Sequence, residues 1–136
     1  FRQYLSKHEF IEIHTPKLQG GASESGASVF DVAYFGRSAF LAQSPQLYKQ
    51  MCIAADMRRV FEIGPVFRAE NSNTARHLTE YTGLDLEMEI NHYYDAMSLI
   101  DGMLKHIFTV LRDKVVVFLV VQRLNRGGIK ALRAAA

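Results

Sequence analysis

The sequence predicts an α+β fold, in which a mainly antiparallel sheet is flanked by helices. Two segments, 59–70 and 79–90, alternate apolar and polar residues as long, half-buried strands do. A third segment, 91–114, repeats apolar residues every three or four positions, which is the period of an amphipathic helix. Short strand-like stretches broken by glycine and proline precede them, and they complete the α+β pattern.

The first 43 residues predict the end of a helix, three short strands and a loop. Residues 1–8 carry apolar side chains on one helical face. Pro16 stops the first strand, and glycines among small residues make 18–28 a mobile loop. A turn at Gly36-Arg37-Ser38 separates the other two strands. The predicted strands are Phe10–Ile13, 29–35 and 39–43.

Two further helices follow. The dipeptide Ser44-Pro45 predicts a helix start, because a hydroxyl cap is followed by proline at the first helical position. This helix runs to about Ala55. The helix over 91–114 carries an apolar stripe made of Tyr93, Met97, Ile100, Leu104, Ile107 and Leu111.

The composition excludes several classes of protein. With 136 residues, 49% hydrophobic and 22% charged, the chain can bury a core and does not have the composition of a disordered protein. Its net charge of +2 excludes a strongly basic nucleic-acid coat and a polybasic membrane anchor. Cys52 is the single cysteine, which excludes an intramolecular disulfide and indicates a reducing compartment. We therefore expect a cytoplasmic location, no membrane contact and, since the histidines do not cluster, no histidine metal site.

Residues 115–136 differ in composition from the rest of the chain. Val115–Val121 is an unbroken apolar run, far shorter than the roughly 20 residues of a bilayer span. The segment after it is basic and carries no acidic residue. Two interpretations stay open: a divergent tail of foreign origin, or a buried strand followed by a Gly127-Gly128 turn and a short basic helix.

The two long strands predict a hairpin with chemistry on one face. Alternation places five functional side chains on the surface that also contains Gly64 and Gly83. They are Arg68, Glu70, Tyr81, Asp85 and Glu87. A solvated sheet face is the plain alternative. However, the glycines leave space, an aromatic lies near an arginine, and crowded carboxylates need a cation, so the pattern favours a nucleotide site. It is not a P-loop, because no Gly-x-x-x-x-Gly-Lys string is present.

Several strings, in order, resemble one family. Phe67-Arg68-Ala69-Glu70, a polar loop and Arg76-His77-Leu78-Thr79-Glu80-Tyr81 resemble motif 2 of class II aminoacyl-tRNA synthetases. The run Leu78–Asp85 is most similar to the cytosolic eukaryotic aspartyl branch, rather than the asparaginyl or lysyl ones. Three upstream strings resemble the substrate-closing loop, the amino-acid-binding segment and the end of motif 1, which builds the family's dimer interface. They are Ser23–Ala27, Leu41–Gln50 and Phe10–Pro16. The resemblance identifies 1–114 as a partial catalytic domain.

The resemblance implies an aspartate–tRNA ligase. In that reaction L-aspartate attacks the α-phosphate of ATP, giving aspartyl-adenylate and pyrophosphate, and the 3′ end of tRNA(Asp) then takes the aspartyl group. No protein nucleophile is needed, so catalysis rests on positioning and charge stabilisation. The absence of a Ser/His/Asp or Cys/His signature agrees with this. The family also uses Mg²⁺ with ATP and forms homodimers.

The resemblance implies a role for each site residue. At the ATP site, Arg68 holds the α-phosphate, which suits a planar, permanently charged guanidinium that can bind two oxygens. Glu70 binds the adenine amino group, His77 lies near the phosphates, and Tyr81 stacks on adenine. At the aspartate site, Lys49 meets the side-chain carboxylate. The groups for the α-ammonium are Glu24, Gln46 and Asp85, and those for the tRNA acceptor end are Ser72 and Thr74. Glu87 is expected to serve structure.

The resemblance also marks what the first 114 residues do not contain. In the family, motif 3 with a second ATP-binding arginine, the main magnesium carboxylate and the arginine that reads the substrate side chain all lie further downstream. We therefore expect an incomplete catalytic core. The alternative function is a non-catalytic module that pairs with a synthetase subunit or binds RNA, to which the basic tail adds phosphate contacts.

We predict that the isolated 136-residue chain does not catalyse aspartate-dependent ATP–pyrophosphate exchange, because one arginine cannot neutralise a triphosphate and its leaving group. Exchange of labelled pyrophosphate into ATP measures this. A robust rate that depends on aspartate would contradict the prediction.

Overall fold

The computed structural model describes residues 1–23, 28–72 and 74–134, with side chains among these up to 119. The chain divides into two units. One unit, Arg2–Asn91, contains two three-stranded sheets, and the other contains one long helix, α3 (Tyr93–Ala134). Helices combined with mainly antiparallel sheets confirm the predicted α+β class.

The first unit contains most of the predicted elements, with ends shifted by a few residues. In chain order they are α1 (Arg2–Lys7), β1 (Ile11–Glu12), β2 (Leu18–Gln19), β3 (Asp31–Tyr34), β4 (Arg37–Leu41), α2 (Gln46–Ala54), β5 (Arg59–Phe67) and β6 (Glu80–Met88). Strand β2 lies inside the segment predicted as a loop, because its two residues pair with β4. Helix α2 begins one residue later than predicted, and the Gln46 amide donates to the Ser44 hydroxyl at 3.3 Å.

Each sheet is built around a central strand. In the first, β5 lies between β1, which is parallel to it, and β6, which is antiparallel. In the second, β4 lies between β2 and β3 in antiparallel pairing. A backbone hydrogen bond joins the sheets: the Phe67 amide of β5 donates to the Ala42 carbonyl at 2.9 Å. The Ala42 amide donates to the Lys17 carbonyl at 2.9 Å and so extends the pairing of β4 with β2. The end of β4, just before α2, is thereby held beside the end of β5.

Strand β5 supplies much of the core of this unit. Val60, Phe61 and Val66 are 0%, 1% and 3% exposed. Burying a side chain of this kind contributes about 1.5–3 kcal/mol to folding. The Arg59 guanidinium closes one end of the strand, where it donates to the His8 carbonyl at 2.9 Å and lies over the Phe10 ring. Because β5 is anchored in this way, the side chains of its polar face have fixed positions.

Helix α3 corrects one interpretation of the C-terminal segment. Val115–Val121 lies within α3, so the strand, the Gly127-Gly128 turn and the separate basic helix are wrong. The side chains of Val115–Leu119 are each more than half exposed, not buried. An unbroken apolar run carries no period that separates strand from helix. No proline interrupts the segment, and extending an existing helix costs less than starting a new element.

The apolar stripe of α3 is largely exposed. Of its six residues, all but Ile107 are among the exposed large apolar side chains, whereas Leu99 and Met103 are 7% exposed. Among the described residues, no helix has the length of apolar sequence that crossing a membrane requires.

The β3–β4 hairpin contains backbone strain at an exposed aromatic residue. Phe35 and Gly36 form its turn with φ of 45° and 76°, and Phe35 is 93% exposed. Positive φ at both turn residues matches the right-handed twist of a hairpin, but only glycine and, to a lesser degree, asparagine adopt it at low cost.

We predict that Phe35→Asn raises the free energy of unfolding by about 1 kcal/mol, because asparagine tolerates the left-handed conformation. Phe35→Ala is the matched control, since it removes the same ring and keeps the backbone strain. Chemical denaturation of both variants measures the difference. Equal stabilities of the two variants would contradict the assignment of strain.

Candidate functional site

Strands β5 and β6 pair as the predicted hairpin, and their register defines the polar face. Glu62 lies opposite Asp85, Gly64 opposite Gly83, and Val66 opposite Tyr81. Directly opposed residues point to the same side of a sheet. Asp85, Glu87 and Tyr81 therefore share one face with Glu62, as alternation predicts.

Lys49 on α2 is the most deeply buried cation of this face. Its side chain is 4% exposed. The ammonium donates to Asp85 Oδ1 at 3.1 Å and to the Leu86 carbonyl at 3.4 Å, and Glu87 Oε2 lies 3.4 Å away. An ammonium has three N–H donors, and burial is costly unless they are used. The local sum is one positive and two negative charges, so the cluster still favours a cationic group of a ligand.

The predicted nucleotide residues line one cavity. It is bounded by Arg68, Glu70, Arg76, His77, Leu78 and Tyr81. Arg68 lies just beyond β5, where its amide donates to the Thr79 carbonyl at 2.9 Å and extends the pairing with the other arm of the hairpin. His77 is oriented by the Thr74 hydroxyl at 2.6 Å, and its Nε2 lies 3.8 Å from Glu70 Oε2. The cavity thus combines an arginine, an aromatic ring and a carboxylate, the groups that bind phosphate, a purine ring and an amino group.

The other predicted site residues are placed as follows. Gln46 is half-buried at the start of α2, three residues before Lys49 and on the same helical side. Ser72 and Thr74 lie in the connection between β5 and β6, where Thr74 is engaged with His77. Glu24 falls outside the described residues.

Sequence reasoning missed a second buried ion pair on the same face. Glu62 is 3% exposed and accepts hydrogen bonds from the Lys17 ammonium and the Thr15 hydroxyl, each at 2.6 Å. The Thr15 amide also donates to it at 3.2 Å. A carboxylate inside a buried strand signals that a cation must lie nearby. The sequence could not reveal which cation, because Lys17 lies 45 residues away in the chain.

The Lys17–Glu62 pair explains why a glycine occupies position 64. A Cβ atom at Gly64 would lie 3.1 Å from Glu62 Oε1 and 3.6 Å from Lys17 Nζ. The glycine therefore makes room for the chain's own ion pair. At Gly83, a Cβ atom would lie 3.4 Å from Asp85 Oδ2.

The environment of Glu62 lowers its pKa. Burial alone raises the pKa of a carboxyl group, but here hydrogen bonds from Lys17 and from Thr15, with the Lys17 charge, outweigh it and hold the pKa below the ordinary value of 4.5. Because the folded-state pKa lies below that of the unfolded chain, the ionised pair stabilises the fold at and above pH 4.5. That contribution is lost as the pH falls through the folded-state pKa.

The described side chains of this site do not form a set of ligands that fits Mg²⁺. In the described part of the chain, no group of three or more His, Cys, Asp or Glu side chains is arranged to hold a metal ion. Asp85 and Glu87 are engaged by Lys49. Mg²⁺ therefore has no part in the chemistry that we assign to these residues.

Comparison with known proteins identifies the family. Residues 1–130 match the family model described as tRNA synthetases class II (D, K and N). The chain belongs to this family of class II tRNA synthetases. It is 60% identical over 115 residues to a cytoplasmic aspartate–tRNA ligase of Dictyostelium discoideum, and 57% identical over 115 residues to that of Homo sapiens. These matches cover 84% of the chain and 20% and 23% of the relatives, so the chain spans about a fifth of their length.

Solved structures agree with this assignment. The aspartyl tRNA synthetase of Entamoeba histolytica superimposes with a TM-score of 0.61 at 49% identity, over 79% of this chain and 18% of that one. Identity at this level, together with the family match, confirms the predicted resemblance to the aspartyl branch.

We predict that the free energy of unfolding of Glu62→Gln falls less steeply with decreasing pH than that of the wild type. At pH 7 the substitution costs roughly 3 kcal/mol, because it leaves a partly buried ammonium without its carboxylate. Below pH 4.5 the wild type loses this advantage and the two free energies of unfolding converge. Denaturation between pH 7 and pH 3 measures the difference.

Glu89→Gln serves as the control, since Glu89 is 61% exposed and its nearest partner lies 3.9 Å away. Parallel acid profiles for Glu62→Gln and the wild type would contradict the proposed origin of the pH dependence.

Proposed function

We propose that this chain is the part of an aspartate–tRNA ligase that binds ATP and L-aspartate for aspartyl-adenylate formation. The observation that supports this most strongly is that residues proposed for both substrates lie on one hairpin and on helix α2, whose Lys49 contacts it. The phosphate- and purine-binding groups line the cavity at its turn end, and the aspartate-binding lysine contacts β6 further along. Two substrates bound in this way lie side by side, as adenylate formation requires.

The ATP half of the proposal assigns one task to each lining residue. Arg68 binds oxygens of the α-phosphate and stabilises the charge that develops there. Tyr81, 36% exposed, offers a ring face to adenine, and Glu70 accepts from the adenine amino group. His77 faces the phosphates, its orientation set by Thr74. No covalent protein intermediate is needed, so these residues act by position and charge.

The aspartate half follows from the charges around Lys49. L-Aspartate carries an α-ammonium and a side-chain carboxylate, and the cluster offers the complement of both. The Lys49 ammonium binds the side-chain carboxylate, while Asp85, with Gln46 and Glu24, binds the α-ammonium. Such an exchange of partners keeps every buried charge compensated in the bound state.

The rest of the proposed function draws on the relatives. We infer that Ser72 and Thr74, in the connection between β5 and β6, contact the acceptor end of tRNA(Asp). We also infer that the protein acts in the cytoplasm and pairs as a homodimer, with Mg²⁺ accompanying ATP. The relatives named as cytoplasmic aspartate–tRNA ligases support the cytoplasmic location and the tRNA(Asp) partner, and the motif resemblance supports the other assignments.

We predict that Arg68→Lys weakens binding of the sulfamoyl analogue of aspartyl-adenylate by about tenfold or more, because an ammonium cannot bind two oxygens in the fork geometry of a guanidinium. Calorimetric titration of the 136-residue chain measures the dissociation constant. Arg37→Gln, an exposed arginine of β4, is the control and stays within about twofold of the wild type.

The same titration tests Lys49. Lys49→Met abolishes the preference for the aspartyl over the asparaginyl analogue, because the cation that selects a carboxylate is gone. Retained preference in Lys49→Met, or wild-type affinity in Arg68→Lys, would contradict the proposed roles. A folded wild-type chain that binds RNA and neither analogue would instead support the non-catalytic module.

A further inference from the structure

Two lysine–carboxylate pairs lie next to each other on the polar face of the β5–β6 hairpin. Glu62 on β5 and Asp85 on β6 are opposed residues, whose Cβ atoms in such positions are about 4.5–5.5 Å apart. Like charges directly opposite each other destabilise a sheet. Each carboxylate must therefore keep a cation of its own.

Those cations come from different parts of the chain. Lys17 follows β1, on one side of β5, and binds Glu62 at 2.6 Å. Lys49 comes from α2, which packs against β5 and β6, and binds Asp85 at 3.1 Å. The two opposed carboxylates thus have one lysine each, and Glu87 adds a third carboxylate beside Lys49 at 3.4 Å.

Little side-chain bulk separates the two pairs. Gly64 and Gly83 are the next opposed residues on this face, two positions along each strand, so these positions contribute no side chains to the face. A Cβ atom at Gly64 would contact the Lys17–Glu62 pair, and a Cβ atom at Gly83 would contact the Asp85 carboxylate. A lysine has a flexible four-carbon stem, so the charge of its partner carboxylate is a main determinant of where its ammonium lies. Each ammonium also has a further acceptor, the Thr15 hydroxyl for Lys17 and the Leu86 carbonyl for Lys49.

We propose that Glu62 is a positioning residue for Lys49. By retaining Lys17, it leaves Asp85 and Glu87 to Lys49 and so sets where the Lys49 ammonium meets the aspartate carboxylate. Without the charge of Glu62, two lysines compete for the Asp85 and Glu87 carboxylates. Lys17 then draws Asp85 away, and Lys49 shifts. The part of this proposal that concerns ligand affinity rests on the aspartate-binding role of Lys49.

The test follows the lysine side chains by NMR in the 136-residue chain labelled with ¹³C at lysine Cε. In Glu62→Gln, the resonances of both Lys17 and Lys49 move. Adding Lys17→Met to Glu62→Gln returns the Lys49 resonance to its wild-type position, because the competing cation is gone. Asp101→Asn is the matched control: it removes the carboxylate 2.6 Å from the exposed Lys105, and only the Lys105 resonance moves.

Titration with L-aspartate adds the functional measurement. The aspartate concentration at the midpoint, read from the Lys49 resonance, rises roughly tenfold in Glu62→Gln, a size typical of coupling between neighbouring charges. In the double variant it returns to within about threefold of the wild type. If the wild type does not respond to aspartate, the aspartate-binding role fails, whereas the resonances of the ligand-free variants still decide the charge arrangement.

The proposal is overturned if Lys17 moves and Lys49 stays unchanged in folded Glu62→Gln, because Glu62 then serves local structure alone. If Glu62→Gln does not fold, Lys17→Met decides. It leaves Glu62 without its cation, and the proposal requires the Lys49 resonance to move as Glu62 competes for it. An unmoved Lys49 resonance in folded Lys17→Met overturns the proposal.

Discussion

The register of the β5–β6 hairpin is the constraint on which the rest of the site depends. Nine consecutive pairs, from Arg59↔Met88 to Phe67↔Glu80, fix it. A slip of one residue would move Asp85, Glu87 and Tyr81 to the opposite face. Such a slip would also take Asp85 away from the buried Lys49 and turn the apolar Leu84 and Leu86 onto the polar face, so it is opposed by both charge and packing. Because β6 pairs with the well-packed strand β5, the positions of Tyr81, Asp85 and Glu87 are fixed.

Charge compensation is the second level of organisation. Glu62 and Lys49 are almost fully buried, yet buried ion pairs seldom stabilise a fold more than packed apolar side chains would. The substrate that we propose explains their presence more readily. A pocket that binds the α-ammonium and the side-chain carboxylate of aspartate needs a fixed anion and a fixed cation in a place from which water is largely excluded, and each must be neutralised when the pocket is empty. The Lys17–Glu62 pair is a second example of such charge compensation, and its cation comes from the segment that follows β1.

The sequence predicted the local features of this arrangement and missed the distant ones. Alternation alone placed Tyr81, Asp85 and Glu87 on one face, because the period of a strand is a local property. The Lys17–Glu62 contact depends on how β1 pairs with β5, which no local pattern encodes. Val115–Val121 was misassigned for a different reason: a run without polar residues has no period, and the helix that precedes it decides its conformation. The residue roles that we propose come from the motif resemblance, and the register places Tyr81 and Asp85, which we propose for the two substrates, on one face of the hairpin.

We propose that one face of this hairpin binds the aspartyl and the adenosine parts of aspartyl-adenylate together. The most direct measurement is a set of intermolecular nuclear Overhauser effects between the chain and the sulfamoyl analogue of aspartyl-adenylate. We expect contacts from the aspartyl methylene to the Lys49 side chain and from the adenine protons to the Tyr81 ring, in the same complex. Contacts that lie on the opposite face of the hairpin, or a folded chain that shows no contacts at saturating analogue, would contradict it.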